Sequence, residues 1–283
     1  MNKIVKKINN LYILKRSKFL IMNKDGNYCT IQKQNKNDKR NQIIDWRVED
    51  HLNGKSTLGV FAGSEFTKFI CFDVDVKDKE LSKWTVYKLI DTLVNAGISH
   101  DYIYTSFSGS KGYHVEVFFN EPIHNSDAEK FYLMVLNNAE LLNIDYGQVE
   151  FRPTEGQGVK IPLGIHFKTG NKCWYCDYTN QLEQIKDINY VLSIKQLDRQ
   201  YFYNLLNIDE LNITTKQAEE FEEIKSKAKP LKIYEENIDE ELTIKTIENL
   251  INEGLTRIGT RHNSLLKICK YYKYMGLTRE HNK

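Results

Sequence analysis

The 283-residue sequence has few residues that punctuate or cross-link a chain. It has 4 prolines, 15 glycines and 5 cysteines. An odd, scattered set of cysteines excludes a disulfide framework. Cys173 and Cys176 form a CxxC pair, but zinc needs four ligands. No second pair exists, and only His166 or His124 could assist, so the two cysteines read as residues of a half-buried strand and no structural zinc is expected. No apolar run approaches the ~20 residues of a membrane-spanning helix, so no membrane partner is expected. The basic stretch 1–10 lacks the apolar core of a signal peptide, so the expected location is cytoplasmic. GxGxxG and HExxH are both missing. Gly54-Lys55-Ser56 looks like a P-loop ending, but position 49 is Glu49 where glycine is required.

Hydrophobic residues make up 41% and charged residues 28%, as in an ordinary globular protein of one large or two modest domains. The net charge of +2 hides an asymmetry. Residues 1–47 hold 12 basic and 3 acidic side chains, residues 255–283 hold 7 and 1, and the middle holds 21 and 34. Basic ends suit phosphate backbones, and an acidic centre suits cations.

No internal repeat is evident. Short strands are expected at 11–14, 18–22 and 28–32, with Asp25-Gly26 as a turn. A helix is expected at 43–52, a strand at 68–76, and a helix at 81–96 on the spacing of Trp84, Tyr87, Leu89, Leu93 and Val94, capped by Gly97. Strands follow at 102–106 and 113–119. A helix at 126–142 takes Ser126 as N-cap. Strand-like pieces recur at 148–151, 159–163 and 173–178. The organisation expected is an α+β core over residues 1–190, a helical connector over 191–254 and the start of a small helical domain over 255–283.

The segment 68–76 carries the first chemical signal. Side chains alternate on a strand, so Phe72, Val74 and Val76 share one face and Asp73 and Asp75 the other, about 7 Å apart. Two carboxylates on one face repel each other unless a cation joins them. Oxygen-only ligands suit Mg²⁺ or Mn²⁺. Next comes the loop 105–115, where Ser108, Ser110, Lys111 and Gly112 offer hydroxyls, backbone N–H groups and charge to a phosphate. His114 opens the following strand and can hydrogen-bond a phosphate oxygen. A two-metal clamp needs a third acid, and Glu150 is the candidate, with Asp145 and Asp177 as rivals. Arg152 and Lys160 could neutralise triphosphate oxygens, and His166 stands close behind.

As an ordered set, these motifs resemble the archaeo-eukaryotic primase superfamily, the primase-polymerases. The set is FDVD (72–75), SGSKGYH (108–114) and VEFRP (149–153), joined by KIPLGIH (160–166) and HLNGKSTLGVF (51–61). The resemblance covers roughly residues 10–190. Where the family often has Ser-x-His, Gly112 stands in the serine place, so the serine role falls to Ser108 or Ser110. GTRHNSLL (259–266) and Met275-Gly276-Leu277 are similar to the helical domain that follows many such cores. The subgroups most like this chain are mobile-element and CRISPR-associated primase-polymerases.

The resemblance implies an RRM-like mixed sheet with an N-terminal α/β module, followed by a helical C-terminal region. It implies template-directed nucleotidyl transfer, by a DNA primase or polymerase, from dNTPs or NTPs. Asp73, Asp75 and Glu150 would be metal ligands, and His114 a catalytic residue. Ser108, Ser110, Lys111, Gly112, His114, Arg152, Lys160 and His166 would bind nucleotide. Partners would be a single-stranded DNA template and a primer strand, with a helicase or CRISPR or mobile-element replication proteins beyond them. Two other classes fit the same residues: a metal-dependent nuclease or phosphohydrolase, and a non-catalytic single-strand-binding replication-initiator module.

Overall fold

A computed structural model describes residues 2–33 and 41–206. Most of the expected connector and all of the region 255–283 lie outside the described residues.

Helix α1 (Asn2–Tyr12) forms because Ile4, Val5, Ile8, Leu11 and Tyr12 recur at helical spacing, and all five are buried. The strand expected at 11–14 is therefore the end of a helical stripe, whose earlier members are separated by lysine and asparagine. Strands β1 (Lys18–Met22) and β2 (Tyr28–Gln32) form a hairpin, closed at Asp25-Gly26 by Gly26 N–H donating to the Asn23 carbonyl. Helix α2 (Asp45–Leu52) leads into β3 (Thr57–Val60). The central strand β4 (Phe66–Val76) is followed by α3 (Lys79–Asn95), β5 (Tyr104–Phe107), β6 (Tyr113–His124) and α4 (Asn125–Asn138). Then come β7 (Gly147–Arg152), the two-residue strands β8 (Val159–Lys160), β9 (Ile165–His166) and β10 (Asn171–Lys172), then β11 (Tyr175–Asp177), β12 (Glu183–Ile185) and α5 (Arg199–Leu206).

The strands form an α+β architecture. One sheet runs β2-β1-β3-β8 and a larger one β12-β11-β5-β6-β4-β7, with every pairing antiparallel. The larger sheet is covered on both faces near its middle. Phe72, Val74 and Val76 join the core that includes Val86, Leu89 and Leu93 of α3 and Phe131 and Val135 of α4. Phe69 and Cys71, one pleat over, join a second core with Ile8, Leu11 and Tyr12 of α1 and Leu58 and Val60 of β3. Further along that second face, the apolar residues give way to Asp73 and Asp75.

Two local expectations change. The buried stripe of α3 is Ser82, Thr85, Val86, Leu89, Ile90 and Leu93, and Trp84 is 48% exposed. Helix α4 starts directly from β6 with His124, not Ser126, at the N-cap. Asn125 is held there by its N–H to the Glu65 carbonyl and its amide to the Gly63 carbonyl. Residues 191–206 pack on the core: Leu197 N–H donates to the Phe118 carbonyl, and the Phe202 ring sits 4.8 Å from Phe119 and 5.3 Å from Phe131.

Candidate active site

Strand register assembles the polar face. Ser106, His114, Asp73 and Glu150 stand directly opposite one another across β5, β6, β4 and β7, with Tyr175 of β11 at the end of the row. The adjacent row on the same face is Tyr104, Glu116, Cys71 and Arg152. Neighbouring strands lie about 4.8 Å apart, so the carboxylates of Asp73 and Glu150 are held close by backbone pairing alone. Asp75 lies opposite Gln148 and is exposed.

The loop between β5 and β6 is shaped by two glycines. Ser108 N–H donates to the Gly112 carbonyl and closes it. Gly109 has φ +92°, and a Cβ there would meet His166 Cβ at 2.5 Å and Cys173 Sγ at 2.8 Å. A Cβ on Gly112 would lie 2.2 Å from the Val74 carbonyl oxygen. Any side chain at position 112 would therefore push β6 off β4, beside Asp73. The loop is pinned from its far side, because the Gly109 carbonyl accepts from the Thr169 hydroxyl at 2.6 Å and the Asn171 amide at 3.0 Å. The Lys160 ammonium, largely buried, donates to the Ser108 carbonyl.

A cleft of about 450 Å³ lies over these elements. Asp73, Asp75, Glu150, His114, Ser108, Ser110, Lys111, Gly112, Arg152, Lys160 and His166 all line it. The rival acids do not. Asp177 caps a short 3₁₀ turn by accepting from Thr179 N–H, and Asp145 precedes β7 in a turn. Cys176 is buried in the core beneath α3 and α4, whereas Cys173 lies against the Ser108 carbonyl.

The charges in the cleft oppose one another closely. Arg152 donates to Glu150 Oε2 at 2.7 Å, and its Nε lies 4.0 Å from Asp73 Oδ2. Burial, then the charges of Glu150 and Asp75, push the Asp73 carboxyl up to about 6 against the pull of Arg152 and Lys160. An acid so raised by desolvation and neighbouring carboxylates lacks sufficient positive charge nearby. The donor set Asp73, Asp75 and Glu150 is oxygen-only, and thus fits a hard divalent cation. Burial, with Lys160 and Arg152 adding to it, pushes His114 down to about 3, so the ring is neutral. Its Nε2 lies 3.5 Å from Asp73 Oδ1.

Sequence reasoning missed Leu20 and Tyr28, which bring the smaller sheet to the cleft, and Gly158 and Val159. Their strands were legible, but no local signal says which sheet lies over the carboxylates. It also left Cys71 and Glu116 without a role. A ring nitrogen of His114, a Glu116 oxygen and Cys71 Sγ lie within 4.8 Å of one another, all buried. Burial, then Glu116 and Asp73, hold the Cys71 thiol well above its ordinary value, so it stays protonated and ill-suited to coordinate. Burial likewise pushes Glu116 up to about 8.

The family model for the archaeo-eukaryotic primase domain of the TOTE conflict system matches residues 9–205. The chain therefore belongs to the archaeo-eukaryotic primase family, in its TOTE conflict-system branch. No curated protein sequence matches it. Among solved structures, it is similar to the polymerase domain of ligase D from Mycobacterium tuberculosis in complex with DNA, at 12% identity and a TM-score of 0.43, over 68% of this chain and 85% of that one. It is also similar to the AEP domain of the cyanophage S-2L primase-polymerase, at 11% identity and a TM-score of 0.39, over 68% of this chain and 96% of that one.

Proposed function

We propose that the chain is a template-directed nucleotidyltransferase, a primase-polymerase that builds strands from nucleoside triphosphates. The observation that carries this is the row His114–Asp73–Glu150, flanked by Arg152 and Lys160, in one cleft beside the Ser108–Gly112 loop. In the reaction, a strand 3′-hydroxyl oxygen bonds to the α-phosphorus, the bond to the β-phosphate oxygen breaks, pyrophosphate leaves and the hydroxyl proton passes to solvent. Asp73, Asp75 and Glu150 would hold the divalent cations, Mg²⁺ or Mn²⁺, which when bound would supply Lewis-acid activation of the hydroxyl and neutralise charge on the triphosphate.

The chain's own groups position the nucleotide. The Ser108–Gly112 loop offers N–H groups and the hydroxyls of Ser108 and Ser110 to phosphate oxygens. Lys111, Lys160 and Arg152 balance the growing negative charge, and neutral His114 and His166 donate hydrogen bonds. Catalysis of this kind comes from orientation and electrostatic complementarity. The family's description ties such domains to a conflict system. That setting, rather than a CRISPR locus or a replicating mobile element, is the one family membership favours. The core over 1–190, the connector over 191–254 and the helical segment 255–283 remain our reading of the domain plan.

The deciding assay supplies an unprimed single-stranded template, labelled dNTPs or NTPs, and Mg²⁺ or Mn²⁺. Metal-dependent short products, lost in an Asp73→Ala/Asp75→Ala variant, are expected, and the labelled product reports the sugar. No product on primed or unprimed template, with cleavage of the DNA instead, would move the site to the nuclease class. Single-strand binding that needs neither metal nor the two aspartates, without synthesis, would make the chain a binding module.

The strand itself needs a basic track. Several N-terminal cations are engaged within the fold: Lys7 donates to the Ile194 carbonyl, Arg16 to the Ile43 carbonyl and Lys18 to the Glu155 carbonyl. A second cleft of about 410 Å³, sharing Ser110 and Lys111 with the first, is lined by Lys77, Lys79 and Lys83. We expect Lys77→Gln/Lys79→Gln to weaken single-strand DNA binding and to reduce the slope of log K against log salt by about 0.7 per lost phosphate contact. Fluorescence anisotropy across a salt series reads this. An unchanged slope would take the strand elsewhere.

A further inference from the structure

The turn 167–170 and strand β10 have no part in the reaction above, and neither Thr169 nor Asn171 lines the cleft. Both side chains are exposed, yet both donate to one acceptor. The Gly109 carbonyl takes the Thr169 hydroxyl at 2.6 Å and the Asn171 amide at 3.0 Å, across about sixty residues of chain. Thr169 Oγ1 also lies 3.0 Å from Nδ1 of His166, which does line the cleft. The hairpin that carries these groups is anchored to the smaller sheet. The Thr57 hydroxyl of β3 donates to the Ile165 carbonyl. In the β1–β2 turn, a Cβ on Gly26 would lie 2.7 Å from Lys168 Cβ.

A peptide unit is planar, and in the trans form its N–H points opposite to its C=O. The Gly109–Ser110 unit is trans. Fixing the Gly109 carbonyl toward the hairpin therefore fixes the Ser110 N–H toward the other side, where Ser110, Lys111 and Gly112 line the cleft. That N–H has no hydrogen-bond partner among the described residues. Gly109 is in the left-handed region at φ +92°, where an unrestrained glycine has many conformations open to it. The two bonds from the hairpin remove that freedom before any ligand arrives, so less ordering is left for binding to supply.

We propose that Thr169 and Asn171 are positioning residues: by holding the Gly109 carbonyl they present the Ser110 N–H to a phosphate oxygen of the nucleotide. The identity of the ligand rests on the primase-polymerase reading; the orientation of the peptide does not. The device acts through the backbone, so no property of the Ser110 side chain enters it. Asn171→Ala removes the loop contact alone, whereas Thr169→Val also releases the His166 ring.

The test is ¹H–¹⁵N NMR on the full chain labelled at serine, with Ser110→Ala to assign the resonance, alongside steady-state kinetics. Tripolyphosphate with Mg²⁺ is the probe. In wild type it should move the Ser110 amide proton downfield, and in Thr169→Val/Asn171→Ala that shift should be lost. The double variant should raise nucleotide KM about tenfold, with kcat changing less, and Asn171→Ala alone about threefold. Thr169→Ser keeps the hydroxyl and should stay within about twofold of wild type. A merely structural role would lower the active fraction, and so kcat, with KM unmoved; that result would overturn the proposal. So would a Ser110 amide that does not respond in wild type at saturating tripolyphosphate. If the double variant does not fold, Asn171→Ala decides: an unchanged Ser110 response and KM there would overturn the proposal, and a weakened response with raised KM would support it. The NMR arm needs no turnover. A Ser110 response that the double variant loses, in a protein that makes no product, would sink the polymerase reading and leave the positioning role standing. Normal strand synthesis with an unresponsive Ser110 amide would do the reverse.

Discussion

Asp73→Asn is expected to remove nucleotide incorporation and, in the metal-free protein, to raise stability. The loss of activity follows from the site. Asp73 stands between His114 and Glu150 in the strand register, and an amide there neither carries charge to a cation nor holds it as tightly. Losing that charge stabilisation should lower incorporation by about a thousandfold. The stability gain follows from the cost of the carboxylate. Its folded value is pushed up to about 6 from 3.8, first by burial and then by Glu150. A carboxyl raised in this direction contributes stability that is fully present below its unfolded value and is lost as pH rises through the folded one. At pH 7.5 without metal, the wild type therefore bears most of that loss.

About two pKa units correspond to roughly 3 kcal/mol, and solvent access at the rim of the cleft reduces this to about 1–2 kcal/mol. Asparagine escapes the loss. Thermal unfolding in chelator should show Asp73→Asn several degrees above wild type at pH 7.5, with the gap closing toward pH 4. Adding Mn²⁺ should reverse the order, because a cation at a hundred times its dissociation constant stabilises a folded site by about 2.7 kcal/mol. A variant that polymerises normally, or one less stable than wild type in chelator at pH 7.5, would remove Asp73 from the centre of the site.

The second large effect concerns acid stability and His51. The ring is fully buried. Leu58 N–H donates to its Nδ1 at 2.9 Å, and its Nε2 lies 2.8 Å from the Pro162 carbonyl. That pair of bonds requires a neutral ring with hydrogen on Nε2. Burial lowers its value from 6.5 to about 4. For a base depressed in this way, the unfolded chain takes up the proton first. Stability is complete above pH 6.5 and falls as pH drops from 6.5 to 4, by about 3 kcal/mol in all. His51→Leu leaves a buried donor and a buried acceptor unpaired and should cost about 3–5 kcal/mol at pH 7.5.

Glu116 and Asp73 change stability with pH in the opposite direction, so the quantity to measure is the difference between wild type and His51→Leu. That difference should shrink by about 3 kcal/mol between pH 7.5 and 4.5 in urea titrations. A constant difference would show that the ring is not neutral in the fold. The bond also ties the 160–166 segment to β3, so His51→Leu should loosen Lys160 and His166 at the edge of the cleft.

Local pattern made much of this protein legible. Alternation along 68–76 put Asp73 and Asp75 on one face and Phe72, Val74 and Val76 on the other, because pleating depends on adjacent residues alone. The Gly97 cap and the Asp25-Gly26 turn were legible for the same reason. Where the local signal was short, it misled. The apolar run 11–14 looked like a strand because the stripe that makes it helical begins at Ile4, and Trp84 looked buried because spacing cannot tell which face of a helix meets the sheet.

The chemical groups, and the strand face each occupies, follow from neighbouring residues. Their distances follow from packing between elements. Antiparallel pairing of β4 with both β6 and β7 set His114 and Glu150 on either side of Asp73. The smaller sheet brought Leu20 and Tyr28 over them, and α1 delivered the Tyr12 hydroxyl to Glu116. Register and layer packing join residues far apart in the chain, as where the Tyr12 hydroxyl meets that of Tyr175. They arise from burying two faces of one sheet at once, and no window of sequence contains that constraint.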